Sequence, residues 1–407
     1  MSNYLFTSES VSEGHPDKVC DRIANDILDE ALRQDPNSRV AIEALASGNL
    51  VVIAGEVTTQ AKLNYESIAR NAISEIGYNS PELIFDAHTI DFKVAVSQQS
   101  PEIANGVFNA LEGRTEGNQS DSRSDIESLG AGDQGIIFGY ANSDNEDYFP
   151  VAGKLSHLLS ERLSFVRKHD SYGNKMLRPD AKTQVTIGYE DNLPVSIEKI
   201  LISSQHSPEY KLPQLKEYLV EEVILPVISS YEEYSLGADL VNKAEYLINP
   251  AGEWNIGGPI ADAGLVGRKI IVDSYNGYAR HGGGNYNGKD ASKVDRSAAY
   301  ALRWVAKNLV AAGAATELEI QVAYAIGSSQ PVSIFIDTKG KTNVGKEKIS
   351  GMINEIFDLR PGAIIRDLDL KYPRYSLTSA YGHFGRNPNE LFTWENLNKI
   401  EEIQSLL

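Results

Sequence analysis

Three times along this 407-residue chain a helix-period segment is followed by two strand-period segments and then a second helix. The first round predicts a helix near Asp17–Arg33, strands near Val40–Leu45 and Leu50–Thr58, and a helix near Tyr65–Ile76. In its first helix Val19, Ile23, Ile27 and Ala31 recur four apart and make one apolar stripe. The second round predicts helices near Gly153–Arg167 and Leu212–Val227 around strands near Thr183–Tyr189 and Val195–Ser203. The third places helices near Val294–Ala311 and Lys346–Phe357 around strands near Glu317–Ala325 and Val332–Ile336. Paired strands flanked by helices bury one sheet face under those helices. The expected fold class is α+β: three structurally related modules of mainly antiparallel sheet and helices in a pseudo-threefold arrangement. The expected boundaries are an N-terminal module over 1–101, a flexible loop over 102–128, a central module over 129–247 and a C-terminal module over 248–407.

The stretch Gln98–Ser128 is polar and lacks periodicity. So long a segment inside a compact protein is a functional lid or a disordered piece. Its place directly before the glycine-rich Gly130–Gly135 turn favours a lid.

Composition removes several function classes. The chain is 42% hydrophobic and 23% charged, as expected of a globular enzyme, and its net charge of -18 argues against nucleic acid as a partner. Basic groups gathered at one place, such as Arg268-Lys269, Arg280, Lys289 and Lys293, can still hold a polyanion. No apolar run approaches the roughly 18–20 residues that span a bilayer, so no membrane partner is expected. The N-terminus is polar and acidic, unlike a signal peptide, and Asn118-Gln119-Ser120 reads as a chance glycosylation sequon. The single cysteine, Cys20, excludes an intramolecular disulfide and suits a reducing cytoplasm. Lying in an amphipathic helix, it reads as a small buried residue.

Chemistry concentrates in Arg280–Arg296, which contains Gly-Gly-Gly-Asn-Tyr-Asn-Gly-Lys-Asp. Glycines there let the backbone approach a ligand closely. Lys289 and Lys293, four apart, can project together towards an anion, and Asp295 can hold a hard cation. The combination suits a magnesium polyphosphate. Gly283 to Lys289 imitates a P-loop, but Asp290 stands where a hydroxyl must reach magnesium, and the helix is expected to begin later, near Val294. Gly130 to Gly135 fits G-x-G-x-x-G, yet it precedes a strand instead of opening a helix.

Gly-His-Pro-Asp-Lys at 14–18, Gly-Ala-Gly-Asp-Gln-Gly at 130–135, Arg-Pro-Asp-Ala-Lys-Thr-Gln-Val at 178–185 and the Gly282–Asp295 segment resemble the S-adenosylmethionine synthetase (methionine adenosyltransferase) family, in its bacterial branch. Gly-Gly-Pro-Ile-Ala-Asp at 257–262 and Ala-Tyr-Gly-His-Phe-Gly-Arg at 380–386 fit as well. The resemblance implies an enzyme that joins ATP and L-methionine and then hydrolyses the bound tripolyphosphate to pyrophosphate and phosphate. It also implies three α+β modules, a homodimer or homotetramer with active sites between subunits, two Mg2+ and one K+ per site, and a cytoplasmic location.

Carried onto matching positions, the resemblance puts His15 against the triphosphate near the breaking bond and makes Asp17 and Asp295 magnesium ligands. Glu43 matches the potassium site. Asp180 and Lys182 are expected at the ATP, with Lys182 reaching the oxygens near C5′. Arg268, Lys269 and Lys289 are expected to grip the phosphates, so that His15, Lys182, Arg268 and Lys289 form the catalytic set. Methionine recognition falls to Glu56, Gln99, Asp133, Asp262 and Lys293, with Asp262 also near the ribose. Glu253, Trp254 and Asn285 complete the expected ATP contacts.

Some positions depart from the family pattern. Trp254 stands where a phenylalanine is usual, Glu253 replaces a basic neighbour, and Asn285-Tyr286-Asn287 replaces Ala-Phe-Ser. Ala261 stands for a commoner glycine, Val151-Ala152-Gly153-Lys154 replaces a proline-rich approach, and the loop is longer than in many bacterial relatives. No departure removes a charged site residue. Two other readings compete: an ATP or polyphosphate phosphohydrolase without methionine, and a non-catalytic regulatory subunit.

Overall fold

The computed structural model describes residues 3–98, 110–111, 125–232, 244–342 and 344–407. β1 (Asn3–Val11) leads into α1 (Pro16–Gln34), the strands β2 (Arg39–Ser47) and β3 (Leu50–Thr58), α2 (Tyr65–Ile76) and β4 (Asp91–Ser97). Then come β5 (Gly135–Asn142), α3 (Val151–His169), β6 (Leu177–Glu190), β7 (Leu193–His206), α4 (Leu212–Leu219), α5 (Leu225–Glu232) and β8 (Glu245–Ile248). The last third holds β9 (Gly264–Leu265), α6 (Val294–Ala311), β10 (Glu317–Tyr324), β11 (Ser333–Asp337), α7 (Lys346–Ile356), α8 (Pro361–Asp367) and α9 (Ile400–Leu406). The fold is α+β, and its three expected hairpins are all antiparallel.

Local chemistry accounts for these elements. Pro16 opens α1 with a pre-set φ, and His15 caps it by accepting the Asp17 N–H at 3.2 Å. The α1 stripe Val19, Ile23, Ile27 and Ala31 is fully buried. Asn64 caps α2 through the Ser67 N–H at 3.0 Å, and Gly77 ends it with a φ of 114°. Asp191 and Asn192 both have positive φ, 50° and 65°, as a two-residue hairpin turn between β6 and β7 requires. The helix expected near Leu212–Val227 continues to Glu232, because one π-helical turn, Val220–Ile224, joins α4 to α5.

Each predicted hairpin gains a strand from a distant part of the chain. The sheets run β4-β3-β2-β9, β1-β6-β7-β8 and β11-β10-β5. β1 pairs antiparallel with β6 from Asn3↔Glu190 to Val11↔Lys182. β5 pairs with β10, and β9 with β2 at Leu45↔Leu265 and Ala46↔Gly264. Among the described residues two apolar cores result. One gathers α1, α2, β2 and β3 with α6, β5 and β10; the other lies between α3, α4, β6 and β7.

A buried ionic cluster fastens the C-terminal segment to α6. Glu395 accepts from Arg303 Nε at 3.1 Å and Nη2 at 2.9 Å, from Lys307 Nζ at 2.8 Å and from the Gly385 N–H at 2.8 Å. Arg303 also donates to the carbonyls of Tyr140, Asp147 and Tyr148. Next to it the Trp394 ring stacks on Tyr300 at 3.8 Å.

Candidate active site

The N-terminus of α1 delivers His15 and Asp17 to one place. His15 is only 3% exposed. Its Nδ1 accepts the Asp17 N–H, which leaves Nε2 as the protonated nitrogen. Burial, then the Lys269 ammonium, pull its pKa down to about 3, so the ring is neutral. Asp17 Oδ1 accepts the Leu265 N–H at 3.0 Å, and Oδ2 takes Lys269 Nζ at 2.6 Å. Burial pushes Asp17 upward, but those two partners outweigh it and hold the carboxyl below its ordinary value.

The turn bearing Arg268 and Lys269 can reach Asp17 because Gly264 packs against α1. A Cβ there would lie 2.1 Å from the Pro16 carbonyl oxygen. Arg268 is exposed and makes one long contact, to the Ala263 carbonyl at 3.4 Å. Lys182 lies on β6 opposite Val11, exposed, two residues after Asp180. Asp180 Oδ2 accepts the Gly258 N–H at 2.8 Å, while its buried Oδ1 has no protein partner. Burial pushes Asp180 up to about 6 against that hydrogen bond and Lys182, with Asp262 and Asp17 adding to the rise. His15, Asp17, Asp180, Lys182, Asp262, Arg268 and Lys269 thus form one group.

A second group forms around the glycine-rich loop. Lys289 Nζ bonds Asp295 Oδ2 at 2.8 Å, and Lys293 Nζ bonds Asp290 Oδ1 at 2.5 Å. Burial raises Asp290, but Lys293 and Arg39 pull it down to about 2. Sequence reasoning met Asp290 only as a misfit to the P-loop; here it ties Lys293 to the start of β2 through the Val40 N–H at 2.8 Å. Helix α6 begins at Val294, as expected, so Lys289 does not open a helix. Gly130–Gly135 runs into β5, and its Gly132 backs onto Ser292, which brings the exposed Asp133 towards this loop. Glu43 and Glu56 point outward from β2 and β3. Burial raises Glu43, Lys289 opposes the rise and Glu56 adds to it.

Three further expected residues are engaged locally. The Trp254 indole N–H donates to the Ile256 carbonyl at 2.7 Å, and the residue is half-buried. Glu253 pairs with Lys211 at 3.4 Å. The Asn285 side chain closes its own turn onto Asn287. Gln99 and most of the expected lid lie outside the described residues.

Among the described residues no three His, Cys, Asp or Glu side chains converge to hold a metal. Asp17 and Asp295 still fit magnesium, because that ion takes one or two carboxylates and completes its shell with water and substrate phosphate.

Sequence models of the S-adenosylmethionine synthetase N-terminal, central and C-terminal domains match residues 3–101, 128–254 and 256–396. The chain belongs to the S-adenosylmethionine synthetase family. It is 51% identical over 401 residues to S-adenosylmethionine synthase of Leifsonia xyli subsp. xyli, covering 98% of each chain. It is 50% identical over 403 residues to that of Clostridium tetani, covering 99% of each, and 50% identical over 414 residues to that of Petrotoga mobilis, covering 100% of each. The two groups of residues above are spread across all three matched domains.

Proposed function

We propose that this chain makes S-adenosylmethionine from ATP and L-methionine and then hydrolyses the bound tripolyphosphate to pyrophosphate and phosphate. The observation that carries the reading is the pairing of carboxylates with ammonium groups, Asp17 with Lys269 and Asp295 with Lys289. Each pair keeps a cation and a metal-type ligand together where a magnesium triphosphate needs both. The likeness to the synthases over the full chain supports it.

The methionine sulfur attacks C5′ of ATP and the whole triphosphate leaves in line. A thioether sulfur carries no proton, so this step needs no general base. The barrier falls by aligning sulfur, C5′ and leaving oxygen, and by stabilising charge that builds on the triphosphate. Lys182 and neutral His15 donate to oxygens near the breaking bond, while Arg268, Lys269 and Lys289 grip the phosphates. Arg268 offers a planar fork and the lysines act as point charges. Glu56, Gln99, Asp133, Asp262 and Lys293 hold methionine; Asp180, Trp254 and Asn285 hold the nucleoside, with Glu253 at the rim.

Asp17 and Asp295 would hold two Mg2+ ions and Glu43 one K+. Bound there, the ions neutralise phosphate charge. The division into 1–101, 102–128, 129–247 and 248–407 assigns the loop between modules to closure over methionine. A homodimer, alone or paired, completes the site. Glu43 and Glu56 face outward, and Val94 and Leu265 of the same sheet are exposed apolar residues suited to a second subunit. No described helix is long and apolar enough to cross a membrane, and buried Cys20 suits a reducing cytoplasm.

The test is a mass-resolved incubation with ATP, methionine, magnesium and potassium, with methionine omitted as control. Methionine-dependent S-adenosylmethionine with pyrophosphate and phosphate is expected. Phosphate release that ignores methionine would replace the reading with a phosphohydrolase.

A further inference from the structure

Helix α1 is buried on two faces. Its apolar stripe is one; the other is polar, with Lys18, Asp21, Asn25 and Asp29 spaced three, four and four apart and all buried. Burying such groups is costly unless their polar atoms are paired, and here the pairing is specific. Asp21 Oδ1 accepts the Gly267 N–H at 2.9 Å, and Oδ2 takes Lys18 Nζ at 2.9 Å. Lys18 also bonds Asp273. Asn25 Oδ1 accepts the Gly288 N–H at 2.9 Å and Arg296 Nη2 at 2.7 Å. Its Nδ2 donates to Asn287 Oδ1 at 2.8 Å, and Asn287 donates to Asp273 Oδ2 at 3.0 Å. Gly267 and Gly288 both carry a φ of 74°. Each directly precedes a cation of the proposed phosphate grip, Arg268 or Lys289.

We propose that Asp21 and Asn25 are positioning residues: the buried polar face of α1 fixes the backbone beneath Arg268 and Lys289 and so sets where both cations meet the triphosphate. The inference rests on the reading of those two side chains as phosphate ligands. Asp21 and Asn25 are fully buried, so in this reading they act through the backbone they hold and not on the substrate directly. Their effect is to fix the roots of two long, rotamer-rich side chains, which lowers the ordering cost when a polyanion binds. A purely structural role would cost stability without favouring one ligand. A positioning role costs phosphate affinity selectively.

The experiment measures binding of magnesium tripolyphosphate and of adenosine to the full chain by calorimetry, with amide exchange at Gly267 and Gly288. Arg268→Ala comes first, and unchanged tripolyphosphate affinity there rejects the phosphate reading itself. With that reading standing, Asp21→Ala is expected to weaken tripolyphosphate about tenfold and leave adenosine within about twofold. In the Arg268→Ala background it should add no more than about a further twofold, because it acts through Arg268. Asn25→Ala should behave alike against Lys289→Ala. Additive losses, or equal losses for both ligands, overturn the proposal. Should the alanine variants not fold, the volume-preserving Asp21→Asn decides. Tripolyphosphate affinity must then follow Gly267 amide protection, and a change in one without the other overturns the proposal.

Discussion

Burial and the nearby Lys269 ammonium keep the His15 ring neutral, while Asp17 keeps its charge because Lys269 and the Leu265 N–H hold it. In the proposed reading the neutral His15 ring donates a hydrogen bond and exposed Lys182, whose charge acts on that ring, supplies a cation. Lys182→Met should abolish S-adenosylmethionine formation, with the thermal midpoint within about 2 °C of the parent, since an exposed side chain is removed. Parent-like turnover would remove Lys182 from the mechanism. Asp17→Asn should raise the magnesium concentration needed for half-maximal activity, and an identical titration would count against Asp17 as a ligand. These residues were singled out because they stand in the Gly-His-Pro-Asp-Lys and Arg-Pro-Asp-Ala-Lys motifs that carry the family resemblance; taken alone, a histidine at a helix start or a lysine in a strand is ordinary. Asp21 and Asn25 were not. Opposite an apolar stripe, a polar residue reads as solvated, and nothing local reveals that a distant glycine loop covers it.

At the scale of elements, glycines separate positions where chains meet from positions where none do. Gly264 lies where β9 touches the first turn of α1, and a Cβ would overlap the Pro16 carbonyl. Gly264→Ala should cost about 1–3 kcal/mol, read as a lower midpoint in urea. Gly351, inside α7, is exposed, and a Cβ there would meet nothing within 4 Å. Gly351→Ala should stabilise the fold by about 0.5–1 kcal/mol, and a loss instead would mean an unseen packing demand on α7. The helices and hairpins were visible as periods of 3.6 and 2. β1 and β9 were not, and β5, legible as a strand after Gly130–Gly135, gave no sign of pairing with β10, because a strand added from far along the chain leaves no local period that names its partner. The π turn in Val220–Ile224 likewise interrupts a helix whose apolar spacing runs on.

For the molecule as a whole, the Glu395 cluster decides how the C-terminal segment stays on α6. Burial raises the Glu395 carboxyl, but Arg303 and Lys307 outweigh this and hold it at about 2, below its ordinary 4.5. A folded pKa below the unfolded one gives stability that is complete above about pH 4.5 and is lost as pH falls towards about 2. Removing the charge leaves Arg303 and Lys307 buried without it, so Glu395→Gln should cost about 3–5 kcal/mol at neutral pH. The gap between parent and variant should narrow below about pH 4.5; a gap independent of pH would show that ionisation of Glu395 contributes nothing. The pairing of β1 with β6 bears on synthesis. The strand Asn3–Val11 leaves the ribosome long before Leu177–Glu190, so its hydrogen-bonding edge has no mate while the first third of the chain is already exposed to the cell. The central sheet closes late, and nascent chains arrested before Leu177 should be cut by protease within Asn3–Val11, where the finished protein resists.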